Sequence, residues 1–101
     1  MEKKKSPITR VKVGPITYKV EVVKNLLDDD GKHFYGMVNY RDNIIFLDEA
    51  EPQTMTQTLF HEIFHAMFHG NGIDEKDEIK LDTLATGIYS LLLDNPKLRE
   101  L

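Results

Sequence analysis

TLFHEIFHAMFHG, residues 58–70, carries three of the chain's four histidines at four-residue intervals, with a glutamate directly after the first. Around them stand Leu59, Phe60, Ile63, Phe64, Met67 and Phe68, an apolar series that begins at Met55 and recurs at three- and four-residue steps. This is the period of an α-helix. The spacing predicts one helix over 52–69, with Pro52 in its first turn and Gly70-Asn71-Gly72 ending it. Ionisable groups in such apolar company are costly to bury unless something pairs them.

His61-Glu62-Ile63-Phe64-His65 has the form HExxH. Four residues turn a helix by about 400° and raise it by about 6 Å, so His61 and His65 stand one above the other on one face. Two imidazoles so placed can grip a single ion. Zinc suits them: it takes imidazole nitrogen and carboxylate oxygen at about 2.1 Å, and in catalytic sites three protein ligands leave a fourth position to water. Glu62, next to the first ligand, is expected beside that open position rather than on the metal, where its carboxylate takes up a proton as general base.

A third ligand is needed. The elongated HExxHxxGxxH form requires glycine at position 68 and histidine at position 71, and Phe68 and Asn71 exclude it. A carboxylate from the next helix is the other common solution. Leu81, Leu84, Ala85, Ile88, Leu91 and Leu92 form the apolar stripe of a second helix, with Asp74 expected as its N-cap, Glu75, Asp77 and Glu78 in its first turn, and Asn95-Pro96 ending it. Two helices joined by a few residues pack as antiparallel neighbours, which brings Glu78 to the histidine pair as third ligand. Asp82, one turn on, is placed to accept a hydrogen bond from the free ring nitrogen of a ligating histidine.

Other residues read more simply. Glu75 and Asp77 are acids favoured by the helix dipole. His69 continues the histidine row but has drifted about 80° from His61, so it is expected to end the helix, with a donor role near substrate as its functional alternative. Tyr89 is a second candidate donor, and His33 is expected at the surface. Gly87 inside the second helix costs about 1 kcal/mol relative to alanine, which points to close packing against a neighbour or to simple tolerance.

The N-terminal half has a different period. Residues 8–13 and 16–23 alternate apolar and polar around Gly14-Pro15, and the aromatic and β-branched runs 34–40 and 44–47 flank Arg41-Asp42-Asn43, so two hairpins are predicted. The expected fold class is α+β: a small, mostly antiparallel sheet packed on the HExxH helix and on a second, glutamate-bearing helix, a minimal zincin-like arrangement. At 101 residues the chain has room for one modest core. A single domain over 8–101 is expected, after a flexible terminus over 1–7.

Composition narrows the function classes. The chain is 41% hydrophobic and 30% charged, as in an ordinary globular protein. It has no cysteine, which excludes disulfides, thiolate metal sites and cysteine nucleophiles. Lys3-Lys4-Lys5 is followed by no apolar segment of a secretory signal, and nothing approaches the roughly 20 apolar residues of a membrane span. A cytoplasmic protein is expected. The net charge of -4 argues against nucleic acid as a partner.

TLFHEIFHAMFH followed by EIKLDTLATGIY resembles the ImmA/IrrE-like metallopeptidases of bacteria and their phages, whose pattern is a TLxHExxH helix and then a glutamate-bearing helix. The resemblance covers roughly residues 44–96, ending in the phage-type GIYSLLLDNP. It implies that His61, His65 and Glu78 hold zinc and that Glu62 is the catalytic base. The spacing of Glu78 and Asp82 is also similar to the ExxxD element of thermolysin-like gluzincins, whose aspartate supports a zinc histidine. The ImmA/IrrE pattern often has asparagine there.

Two functions are compatible with these residues. One is a zinc-dependent endopeptidase acting on a protein or peptide, with a repressor in a bacterial or phage setting as the substrate implied by the resemblance. An extended peptide is then expected along an exposed strand, for which 44–47 is the candidate because it leads into the metal helix. The other is a non-catalytic regulator, in which zinc clips two helices together and the protein acts by binding a partner.

Overall fold

The computed structural model describes residues 8–100, so the flexible terminus expected over 1–7 lies outside the described residues. The chain forms strands β1 (Arg10–Val13), β2 (Ile16–Val23), β3 (Gly36–Asn39) and β4 (Ile44–Asp48), then helices α1 (Pro52–Gly70) and α2 (Glu78–Asp94). A short 3-10 turn, Pro96–Glu100, follows and was not foreseen from the sequence. The α+β architecture agrees with expectation.

Both hairpins form. Val13 pairs with Ile16 across Gly14-Pro15, and Gly14 takes φ +60°, a conformation open to glycine at the first position of a tight primed turn. Asn39 pairs with Ile44 in the second hairpin, where the Asn39 side chain accepts from the Asp42 N–H and Asn43 takes φ 57°.

The hairpins join through a parallel pairing that the sequence reading lacked. Sheet order is β1-β2-β4-β3, and β2 runs parallel to β4 in the register Lys19↔Ile44 to Val23↔Asp48. The strand over 44–47, expected as an exposed edge, is therefore internal. Its unbroken apolar run, Ile44-Ile45-Phe46-Leu47, is the composition of a buried central strand rather than of a half-exposed one. Among the described residues the sheet's edges are β1 and β3.

Alternation along β2 and β4 sends Tyr18, Val20, Ile45 and Leu47 to one face, where they meet Met55, Leu59 and Ala66 of α1. On its other side α1 packs against α2, which buries Leu81 and Ala85 there and touches no strand. The layers are sheet, α1, α2. A helix covered on two sides must be apolar over most of its circumference. The crowding of Phe, Leu and Met around the histidines follows from that position.

Candidate metal centre

The buried stripe of α1 that faces the sheet is Met55, Leu59, Glu62 and Ala66. Glu62 thus occupies a core position and is only 6% exposed. The two histidines before and after it point along the other flank, toward the start of α2.

Helix α2 begins three residues later than the sequence suggested. Asp77, not Asp74, is its N-cap: the Asp77 carboxylate accepts from the Ile79 and Lys80 N–H groups at 3.1 Å, while Asp74 pairs with Lys76 in the preceding loop. Two N–H groups already held by Asp77 outweigh the longer acidic run as a start signal. Glu78 becomes the first helical residue, at the mouth of the interhelical groove.

There its Oε1 lies 2.9 Å from His61 Nε2 and 3.3 Å from His65 Nε2. One atom from each of His61, His65 and Glu78 lies within 4.8 Å of the others, close enough to bind a metal ion. On the far side of the His61 ring, Nδ1 faces Asp82 Oδ1 at 3.6 Å. Nε2 therefore turns to the centre and Nδ1 toward a carboxylate that stands just beyond hydrogen-bond distance, so the bond expected from Asp82 is not made. The histidine side chains are 17% and 23% exposed and Glu78 is 64% exposed, so the centre opens to solvent on the α2 side.

The donor set fits zinc. Two imidazole nitrogens and one carboxylate oxygen are the ligand types that zinc accepts, and three protein donors leave a coordination position free. Glu62 stands beside them. Burial pushes its carboxyl up to about 7; His61 opposes that rise and the negative charge of Glu78 adds to it. A carboxylate poised near neutrality is suited to taking and returning a proton.

A cleft runs along α1 on the His61 side, lined by Thr54, Thr58, His61 and Glu62 on one wall, Glu78 and Asp82 on the other, with Tyr35 and Gly36 at its rim. Gly36 brings the β3 backbone onto α1 so closely that a Cβ would come within 2.6 Å of Thr58 Cγ2 and 3.1 Å of Glu62 Cγ. Gly36 is not among the residues that the motifs single out. Its signal was a lone glycine inside an aromatic strand pattern, which marks a close backbone approach.

The remaining candidates lie away from the donor triad. His69, in the last turn of α1, stacks on Tyr40 with ring centroids 3.8 Å apart and planes 17° from parallel. The pair walls a second hollow that adjoins His65. Burial, with the nearby Tyr18 and Glu62, pushes the Tyr40 hydroxyl up to about 12. Tyr89 packs against Phe60 at 5.5 Å and does not line the cleft. His33, exposed as expected, binds Asp48 Oδ2 at 2.9 Å and meets the Tyr35 ring edge-on.

No protein-family model, curated protein or solved structure matches this chain.

Proposed function

We infer that this protein is a zinc-dependent endopeptidase, with His61, His65 and Glu78 as the metal ligands and Glu62 as the general base. The observation that carries this reading is the meeting of an HExxH helix and a glutamate from the next helix at one point, with the intervening carboxylate buried beside it. The resemblance of the two helices to the ImmA/IrrE-like peptidases supports the same assignment.

Zinc held by these residues supplies a Lewis acid for the peptide carbonyl and lowers the pKa of a bound water toward 7. Glu62 accepts the proton of the attacking water and returns it to the amine that leaves. Its buried position between the sheet and the centre keeps the carboxylate from bulk solvent and fixes where that proton is received. Asp82, 3.6 Å from His61 Nδ1, would orient that ring by closing to hydrogen-bond distance. The substrate is a protein or peptide in extended form, added to the β3 edge rather than to β4. β3 runs from Gly36, beside Glu62, toward Tyr40, beside His69, so a strand paired with it crosses the donor triad.

A cytoplasmic setting and a regulatory substrate such as a repressor belong to the same proposal. No helix among the described residues is long and apolar enough to cross a membrane. One observation favours a non-catalytic role as the second reading: among the described elements α2 packs on α1 and on the 3-10 turn that follows it, and on no strand, so an ion shared by the helices would act as a clip. Incubation of the zinc-loaded protein with a cell-lysate proteome, analysed for new chain termini by mass spectrometry, separates the two. Cleavage that disappears in Glu62→Gln supports the peptidase. Stoichiometric zinc without any new termini rejects it in favour of the clip.

A further inference from the structure

Gly87 interrupts α2 at its middle, and its surroundings contain no neighbour: a Cβ added there would have no atom within 4 Å. Close packing inside the fold therefore does not explain it. Leu84, Ile88 and Leu91 lie on the same exposed side and are 38–47% exposed, although the helix already buries Leu81 and Ala85 against α1. Spacings of four and three residues put Leu84, Ile88 and Leu91 in one seam, the pattern of a helix that packs on a second helix. At 100° per residue this seam faces away from Asp82 and the metal centre.

The seam reads alike in both directions. Leu84 and Leu91 flank the Gly87-Ile88 pair, and beyond them Lys80 stands at one end and Asp94 at the other, about 21 Å apart at 1.5 Å per residue. An antiparallel two-fold copy centred on Gly87-Ile88 sets Leu84 against Leu91, seats Ile88 in the dent at Gly87, and leaves Lys80 one residue from register with Asp94, within reach of its long side chain. A parallel copy would set Lys80 on Lys80 and Asp94 on Asp94. Lys80 has one partner in its own chain, Glu75 at 3.2 Å, but remains 57% exposed, and Asp94 has no ion pair among the described residues.

From this self-complementary face we propose that the protein forms an antiparallel homodimer through α2, with both metal clefts left open on the outer sides. A second copy is the occupant because a two-fold interface must match itself, and this face does so in size and in charge. A partner of other sequence places no such demand. The seam contains fewer residues than the roughly 20–30 a side of a standard stable interface, so the dimer is in concentration-dependent exchange with monomer.

Sedimentation equilibrium of the full-length protein across the micromolar range is the test, with circular dichroism to verify that each variant is folded. The wild-type mass should rise from one chain to two with concentration. Ile88→Glu should keep it at one chain. Lys80→Asp and Asp94→Lys should each weaken association several-fold, and the double exchange should restore it. A wild-type mass of one chain at every concentration overturns the proposal, as does a double exchange no better than the single variants. Neither result bears on the peptidase reading, which rests on other residues.

Discussion

Gly36 and Glu62 share a space that holds only one side chain: a Cβ on residue 36 would lie 3.1 Å from Glu62 Cγ and 3.2 Å from Glu62 Oε2. The conformation of Gly36 is an ordinary one, so the absence of a side chain, not a special backbone angle, is what the position requires. Gly36→Ala is expected to push Glu62 and Thr58 aside and to cost about 1–3 kcal/mol of stability. Zinc content should be unchanged while the turnover number falls. Thermal unfolding, elemental analysis and peptide cleavage measured together would reveal an unaltered turnover, the result that excludes a role for Gly36 in placing the base.

Glu78 supplies the only donor of the triad that comes from α2. Glu78→Ala should lose stoichiometric zinc in protein purified without metal-affinity media, whereas Asp82→Asn should keep the site and weaken zinc binding by about 10- to 100-fold. Competition with a chromophoric chelator measures both. Equal losses from the two changes would place Asp82 on the metal rather than behind His61.

Glu62→Gln should leave the fold and the metal intact and lower cleavage by about 10²–10⁴-fold. In chelator-treated protein it has a second effect. The folded carboxyl is raised from 4.5 to about 7, so the native state binds the proton more tightly than the unfolded state, and stability declines as pH rises through that interval. Glutamine removes the decline. The metal-free variant should melt above metal-free wild type at pH 8, and the gap should close toward pH 4.5; parallel melting curves at every pH would exclude the buried-carboxyl account.

Asp48 behaves with the opposite sign. Burial raises its carboxyl, but the Leu26 N–H at 2.8 Å and the His33 ring at 2.9 Å outweigh this and hold it below the usual 3.8. A carboxyl depressed by folding contributes stability above its unfolded value, and that contribution is lost as pH falls through the folded one. Asp48→Asn should therefore cost about 1.5–3 kcal/mol at neutral pH and flatten the acid side of the stability profile. Urea midpoints at pH 7 and pH 3 check it: an equal loss at both would mean that the ionised form is not what matters.

The sequence disclosed the helices and the candidate donor triad better than the sheet. HExxH fixes two donors by helical geometry alone, and a short link to the next helix limits where the third can stand, so His61, His65 and Glu78 were legible before any coordinates and the structure brings them together. The order of strands was not legible. Alternation tells which face of a strand is buried but not which strand lies beside it, and Ile44-Ile45-Phe46-Leu47 was assigned an edge where the parallel β2–β4 pairing makes it central. Asp74 lost the cap to Asp77 because several acids in a row offer equivalent signals and only side-chain geometry selects one. Tyr40 and Gly36 went unnoticed because their importance comes from what lies opposite them, His69 and Glu62, and that is a tertiary fact.

The parallel pairing has a bearing on the order in which the molecule assembles. Residues 19–23 meet 44–48 only after the intervening chain has closed a long loop, while the three metal donors lie within one helical hairpin of neighbouring residues. Contacts local in sequence form sooner than distant ones. The three candidate donors thus lie in a piece that is local in sequence, 61–78, whereas the shelter around Glu62 draws on Gly36, which is more distant along the chain. On the peptidase reading, a nascent or partly unfolded molecule would hold its cation before it could cut.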